Sequence, residues 1–315
     1  MKKTSYKYLF GPVPSRRLGI SLGVDLVTHK TCSLNCIYCE CGATTHLTSE
    51  RNEYVPTHIV LDELDDFLSN KPHLDYITFS GSGEPTLHSR LGDVVAHLKR
   101  FHGHYRIALL TNGTLFSQKK LLDEVKEIDL IIPSLDAVSE DVFQKINRPA
   151  KELSSNDLIN GLIDLRKSFT GNIWLEVFIV PGINDSESEI LKFNEVIKQI
   201  KPDKVQLNTL DRPATESWVQ ASSLEKIKSI ASKLEGNVEI IARFKSREMI
   251  DSYNIDIQES IIRILKRRPC TAQDLSSVTG LHLNEINKYI ETLLNKNIIQ
   301  VERLSRGNFL KIVEK

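Results

Sequence analysis

No stretch of this sequence approaches the ~20 consecutive apolar residues that a membrane-spanning helix requires, so no membrane element is expected. Net charge is absent as well. The 41 Lys+Arg residues balance 41 Asp+Glu, so no overall basic field advertises nucleic acid and no acidic field repels it. The start, Met1-Lys2-Lys3-Thr4-Ser5-Tyr6-Lys7-Tyr8, is basic but has no apolar segment behind it. That argues against a secretory signal and for a cytoplasmic protein. Cysteine is scarce, at five in 315 residues. Four of the five crowd together as Cys32, Cys36, Cys39 and Cys41, and Cys270 stands apart. A secreted disulfide framework would spread its cysteines along a shorter chain, whereas tight clustering favours a metal or a metal cluster.

The rest is ordinary globular material, 40% hydrophobic and 26% charged, enough to build a core. Short apolar runs at 19–27, 75–80, 106–111, 130–135, 173–180 and 204–210 read as strands, with a further run at 238–244. Amphipathic stretches at 57–68, 87–101, 117–125, 156–169, 186–200 and 223–234 read as helices. Leu87, Leu91, Val94, Val95 and Leu98 form one helical stripe. Strands alternating with helices predict an α/β fold with a parallel sheet. In such folds sites are built from loops at the carboxyl ends of strands. Here those loops carry the cysteines, Gly81-Ser82-Gly83-Glu84-Pro85, Asn112-Gly113-Thr114, Ser134-Leu135-Asp136, Pro181-Gly182 and Asp211-Arg212-Pro213. Each loop alone is also explained by turn chemistry, but the cysteines are not.

The composition divides the chain into 1–245, a linker at 246–255 and a second unit at 256–315. In that unit 257–266 reads as a helix, Thr271 as the cap of another, Gly280 as a turn, and Leu283, Ile286, Ile290, Leu293 and Leu294 as the stripe of a third. A hairpin follows, which makes a winged-helix-like module. Its presumed recognition helix balances Glu285 and Glu291 against Lys288 and Lys296. DNA readers concentrate positive charge there, so DNA binding is not expected, and docking of a substrate or partner, or plain structural packing, is.

Three thiolates at Cys32-x3-Cys36-x2-Cys39 suit an iron–sulfur cluster or part of a zinc site. Cys41 would be zinc's fourth ligand, though Cys39-x-Cys41 is tighter than usual zinc spacing. With Tyr38 before the third cysteine, and with Gly81–Glu84, Thr111-Asn112-Gly113 and Ser134-Leu135-Asp136 following in order, the pattern resembles the radical S-adenosylmethionine superfamily over roughly residues 8 to 245. Gly11-Pro12-Val13-Pro14-Ser15-Arg16-Arg17-Leu18-Gly19 and Ile146-Asn147-Arg148-Pro149 most resemble the wyosine-type tRNA-modifying subgroup. Residues 1–31 lack the upstream cysteines of a second cluster in that subgroup, which puts the wyosine reaction itself in doubt.

The resemblance implies a partial (βα)6 TIM-like barrel and two cofactors, a [4Fe–4S] cluster on Cys32, Cys36 and Cys39 and S-adenosyl-L-methionine on its open iron. Cys41 would stay off that iron. Reductive cleavage would yield a 5′-deoxyadenosyl radical that abstracts hydrogen from a substrate, with an electron donor such as flavodoxin or ferredoxin. By the same resemblance Gly81, Ser82 and Gly83 approach the methionine moiety and Glu84 accepts from its ammonium or caps the next helix. Asn112, Ser134 and Asp136 meet the ribose, and Tyr38 lines the adenine or packs in the core. Glu176 is either a ribose or sulfonium contact or one half of a strand-face salt bridge. His29, His46, His88, His102 and His104 read as surface or hydrogen-bonded residues, Arg16-Arg17 as a solvated pair, Arg148 and Arg212 as contacts for an anionic substrate, and Cys270 as structural. An open barrel suits an RNA or protein substrate. The competing reading is an iron–sulfur or zinc sensor acting through the winged helix, for which the glycine–glutamate loop has no use.

Overall fold

The computed structural model describes residues 6–15, 17–210, 214–241, 257–258, 261–262, 264–265, 269–279, 281–304 and 307–313. The proposed linker at 246–255, Arg16, Arg212 and the end of the seventh apolar run lie outside the described residues.

Strand β1 (Leu9–Ser15) runs antiparallel to β2 (Gly19–Val24). A two-residue parallel pair, β3 (Thr31–Cys32) and β4 (His46–Leu47), brackets the cysteine loop. The chain then continues through α1 (Thr57–Leu68), β5 (Tyr76–Phe79), α2 (Leu91–Phe101), β6 (Ile107–Thr111), α3 (Lys119–Glu124) and β7 (Leu130–Pro133). After these come α4 (Glu140–Ile146), α5 (Ser155–Ser168), β8 (Asn172–Ile179), α6 (Glu187–Ile200), β9 (Lys204–Thr209), α7 (Leu224–Ala231) and β10 (Val238–Ile240). One eight-stranded sheet has the order β1-β2-β5-β6-β7-β8-β9-β10. Every step from β2 to β10 is parallel. Six strand–helix units therefore follow one another from β2 to α7, the partial (βα)6 TIM-like barrel that the family resemblance implies. The three-residue β10 ends the sheet as a short edge, which limits unwanted pairing.

The reasons are local. Ile107, Ala108, Leu109, Leu130, Ile131 and Ile132 are all buried, as strands covered on both faces require. Leu91, Val94, Val95 and Leu98 are the buried residues of α2. Leu87, assigned to the same stripe, sits in a one-turn 3-10 segment, Pro85–Leu87, that Glu84 caps before the helix begins. Sequence reading missed β1, whose Pro12 and Pro14 argue against a central strand. The chain tolerates them because β1 is the edge.

The C-terminal residues include α8 (Ala272–Thr279), α9 (Leu283–Asn295) and a hairpin of β11 (Ile299–Leu304) with β12 (Gly307–Ile312). Thr271 caps α8, accepting from Asp274 N at 3.1 Å while Asp274 Oδ2 accepts from Thr271 N at 2.9 Å. Ile286, Ile290, Leu293, Leu275, Leu310 and Cys270 bury themselves in a cluster separate from the barrel core. Cys270 exchanges two backbone hydrogen bonds with Leu310, which makes it a structural residue. Leu294 packs at the edge of that cluster, and with Leu283 and Ile290 it also lines a cavity of about 340 Å³ against the cysteine loop.

Candidate active site

The rim formed by the strand ends is stitched by its backbone. Glu84 N donates to Thr31 O at 3.0 Å, joining the glycine–glutamate loop to the cysteine loop. Ile37 N donates to Ile146 O and Asn35 N to Asn147 O, tying the same loop to the end of α4. The glycines permit this closeness. A Cβ on Gly83 would lie 2.1 Å from Thr31 O, and one on Gly81 would lie 2.2 Å from the Asp25 carboxylate. What these glycines make room for is the neighbouring protein.

The cysteine sulfurs divide into two kinds. Asn112 Nδ2 lies 3.6 Å from Cys32 Sγ, Asn147 Nδ2 donates to Cys36 Sγ at 3.3 Å, and Lys30 Nζ donates to Cys39 Sγ at 3.1 Å. Each of the three sulfurs thus faces a nitrogen donor, as a thiolate requires. The Cys41 thiol instead faces acceptors, the Cys39 sulfur and Asn284 Oδ1 at 3.7 Å. The hydrogen bond from Cys41 and the Lys30 ammonium pull Cys39 down to about 5, against the effect of burial. Burial, with Glu84, pushes Cys32 up to about 12; burial, with Asp136, raises Cys36. Thiols this costly to ionise alone are deprotonated by a cation bound among them. Lys30 is buried, and burial opposes its charge, yet Cys39, Cys41 and Cys32 together raise its pKa. Its backbone is left-handed at φ 57°, a conformation costing roughly 1–2 kcal/mol outside glycine. The donor set fits a cluster on Cys32, Cys36 and Cys39, with Cys41 beside it.

Glu84 is buried and fully engaged. Its Oε1 accepts from Thr86 N, Thr86 Oγ1 and Thr111 Oγ1, and its Oε2 from Asn112 N at 2.7 Å. Burial still lifts its pKa above the usual carboxylate range. Asn112 also bonds Ser33 Oγ and accepts from Thr114. Ser82 donates from N and Oγ to Asp25 Oδ2. Asp136 accepts from Tyr38 Oη at 2.5 Å, Asn147 Nδ2 at 2.8 Å and Phe178 N at 3.0 Å. Desolvation raises its pKa to about 6 despite these bonds. Tyr38 stacks on Phe178, with centroids 3.9 Å apart. Among the described residues only Ser134, of the polar side chains assigned to the cofactor, has a hydroxyl without a hydrogen-bond partner. The others hold the rim in shape.

Glu176 pairs with Arg17 at 2.6 Å and accepts from Asn208 at 2.8 Å, the strand-face salt bridge. Arg17 is therefore half-buried and turned inward, unlike the solvated arginine expected. Arg148 pairs with Glu216 at 2.5 Å. His88 is buried against Val55 O, His29, His46 and His104 are exposed, and His102 hydrogen-bonds Asp65. Sequence reasoning missed Lys30, Asn147 and Asp25. Asn147 lay in a quoted motif, but Lys30 and Asp25 had no pattern to mark them.

The Radical SAM superfamily model matches residues 26–193, which spans the cysteine loop, the glycine–glutamate loop and the loops after β6 and β7. The chain belongs to the radical SAM superfamily. It is an enzyme, and the family implies a [4Fe–4S] cluster with S-adenosyl-L-methionine. A UPF0026 protein of Methanocaldococcus jannaschii is 31% identical over 314 residues, 96% of this chain and 92% of that one. A protein of Brachyspira hyodysenteriae named GTPase Obg is 36% identical over 296 residues, 93% of this chain. The radical SAM chain spans 43% of that longer protein. A radical SAM methyltransferase from Sphaerobacter thermophilus shares the fold, with TM-score 0.56 and 16% identity over 71% of this chain and 67% of that one. TYW1 with a lysine–pyruvate adduct reaches TM-score 0.48 at 20% identity, over 67% and 72% of the two chains. The wyosine-type resemblance therefore rests on the sequence motifs. Among the described residues no helix is long and apolar enough to cross a membrane.

Proposed function

We propose that Cys32, Cys36 and Cys39 hold a [4Fe–4S] cluster with one open iron, and that the enzyme uses it on a large RNA or protein substrate. The observation that carries this reading is the division of the sulfurs: three face nitrogen donors, while Cys41 faces acceptors. When bound, the cluster and S-adenosylmethionine supply reductive cleavage of the sulfonium to methionine and a 5′-deoxyadenosyl radical able to abstract hydrogen. The chain's own residues prepare the place. Lys30 offsets thiolate charge. Asn112 and Asn147 orient two ligands and fix the neighbouring loops. Glu84 holds the β5 and β6 loops in register, and Ser134 offers a free hydroxyl at the end of β7. A reduced flavodoxin or ferredoxin would supply the electron.

The helix–hairpin unit would select the substrate. It sits on the rim, with His282 Nε2 3.0 Å from Asp25 Oδ2 and its ring stacked on Phe10 at 4.4 Å. A cavity of about 620 Å³ opens between the two parts, lined by Asp25, Thr28, Ser82, Gln273 and His282. Placing a partner-selecting unit beside the cofactor loops lets a substrate bind it and reach the open side of the barrel.

The test is anaerobic reconstitution followed by reduction with S-adenosylmethionine present. About four irons per chain and release of 5′-deoxyadenosine are expected. Stoichiometric zinc without iron, or iron without 5′-deoxyadenosine, would overturn the reading.

A further inference from the structure

A second group of metal-ligand side chains lies at the other end of the barrel. Helices α1 and α2 run back from the rim, so their last turns sit near the strand starts. There Asp65 of α1 meets His97 of α2 and His102, which follows α2. His97 Nε2 is 2.8 Å and His102 Nε2 2.7 Å from the same oxygen, Asp65 Oδ1. The three donor atoms all lie within 4.8 Å of one another.

The arrangement is prepared on the histidine side and open on the carboxylate side. The two imidazoles keep 18% and 15% of their side-chain exposure, and Asp65 keeps 49%. His97 is held by contact with Phe101 at 4.8 Å between centroids. Two imidazoles and one carboxylate form a donor set that suits zinc and its neighbours in the first transition row. A tetrahedral zinc with bonds of about 2.0–2.1 Å would place its ligand atoms about 3.3 Å apart. The observed 2.7 and 2.8 Å separations would therefore open by roughly half an ångström, within the freedom of an exposed carboxylate. On binding, the two hydrogen bonds to Asp65 Oδ1 break, each Nε2 gives up its proton to Nδ1 or to solvent, and two nitrogen–metal bonds and one oxygen–metal bond form. Water completes the sphere.

We propose that Asp65, His97 and His102 form a site for a divalent transition metal of the zinc class, joining α1 to α2. These helices follow the strands whose other ends carry the cysteine loop and the glycine–glutamate loop. A metal there clamps the first two strand–helix units at the end remote from the chemistry. The clamp stands independently of the cluster on Cys32, Cys36 and Cys39.

The test is an anaerobic Co2+ titration of the full-length protein, because Co2+ reports its ligands by colour. Cobalt on the cysteine loop gives intense near-ultraviolet thiolate charge transfer, and cobalt on nitrogen and oxygen ligands gives only weaker visible bands. The wild type should bind one equivalent of the second kind. His97→Ala and His102→Ala should each weaken it by more than about 10-fold and leave the thiolate bands unchanged. Asp65→Asn keeps an acceptor for both rings, so the helices stay joined while the carboxylate ligand is lost. A merely hydrogen-bonding role leaves cobalt binding of Asp65→Asn equal to wild type, whereas the metal site predicts the same 10-fold or greater weakening, to about that order. The proposal is overturned if every bound cobalt carries thiolate charge transfer, or if folded Asp65→Asn binds cobalt as the wild type does.

Discussion

The rim of the barrel and the helix–hairpin unit beside it face each other but are held in different ways. On the rim, side chains from one loop satisfy those of the next: Glu84 serves Thr86, Thr111 and Asn112, and Asp136 serves Tyr38, Asn147 and Phe178. The helix–hairpin unit has its own buried cluster and meets the rim across cavities, through contacts such as His282 to Asp25 and Arg303 to the Ser217 carbonyl. A network closed in this way fixes geometry before any ligand arrives. A contact made by a few side chains over open space permits movement. The chemistry should therefore depend on the rim and the partner on the unit.

The comparison sharpens most if single rim residues abolish function outright. Cys32→Ala, Cys36→Ala and Cys39→Ala should each lose all cluster iron, measured by iron content and absorbance, while Cys41→Ala keeps it. Next comes Glu84→Ala, which strands four donors in a buried place. It should cost about 2–4 kcal/mol in a denaturant titration; a cost below about 1 kcal/mol would show that water replaces the carboxylate. Asp136 gives a pH signature. Its pKa is raised from 3.8 to about 6, so the folded protein binds a proton there between those values and the unfolded chain does not. Stability from this group is thus greatest at or below pH 3.8 and is lost as pH rises through about 6. Melting of the cluster-free protein between pH 7 and 5 should show this slope in the wild type and lack it in Asp136→Asn. The smallest effect belongs to His282→Ala, about 1 kcal/mol, with iron content unchanged. Loss of iron in that variant would mean that the unit is part of the cofactor site.

The sequence was informative where periodicity or spacing carries the signal. The succession of parallel strands, the helix 57–68 and four of the five stripe residues of α2 followed from alternation and helical spacing, and the three cysteines announced themselves by their clustering. The partners of those residues did not. Nothing local says that Asn147, 111 residues beyond Cys36, points at its sulfur. Nor does any local pattern bring Arg17 to Glu176 across 159 residues or make Asp65 the meeting point of His97 and His102. Such pairs are created when strands assemble. Lys30 was hidden for another reason, since a lone lysine two residues before a cysteine reads as surface charge until its burial is seen.

The central claim is an open iron beside three thiolate ligands, and S-adenosylmethionine itself is the probe. The measurement is the electron paramagnetic resonance spectrum of the reconstituted, one-electron-reduced protein with and without S-adenosylmethionine. Binding at an open iron should shift the spectrum in the wild type and in Cys41→Ala alike. A cluster whose spectrum ignores S-adenosylmethionine in the wild type, and responds only once Cys41 is removed, would make Cys41 a fourth ligand and contradict the account.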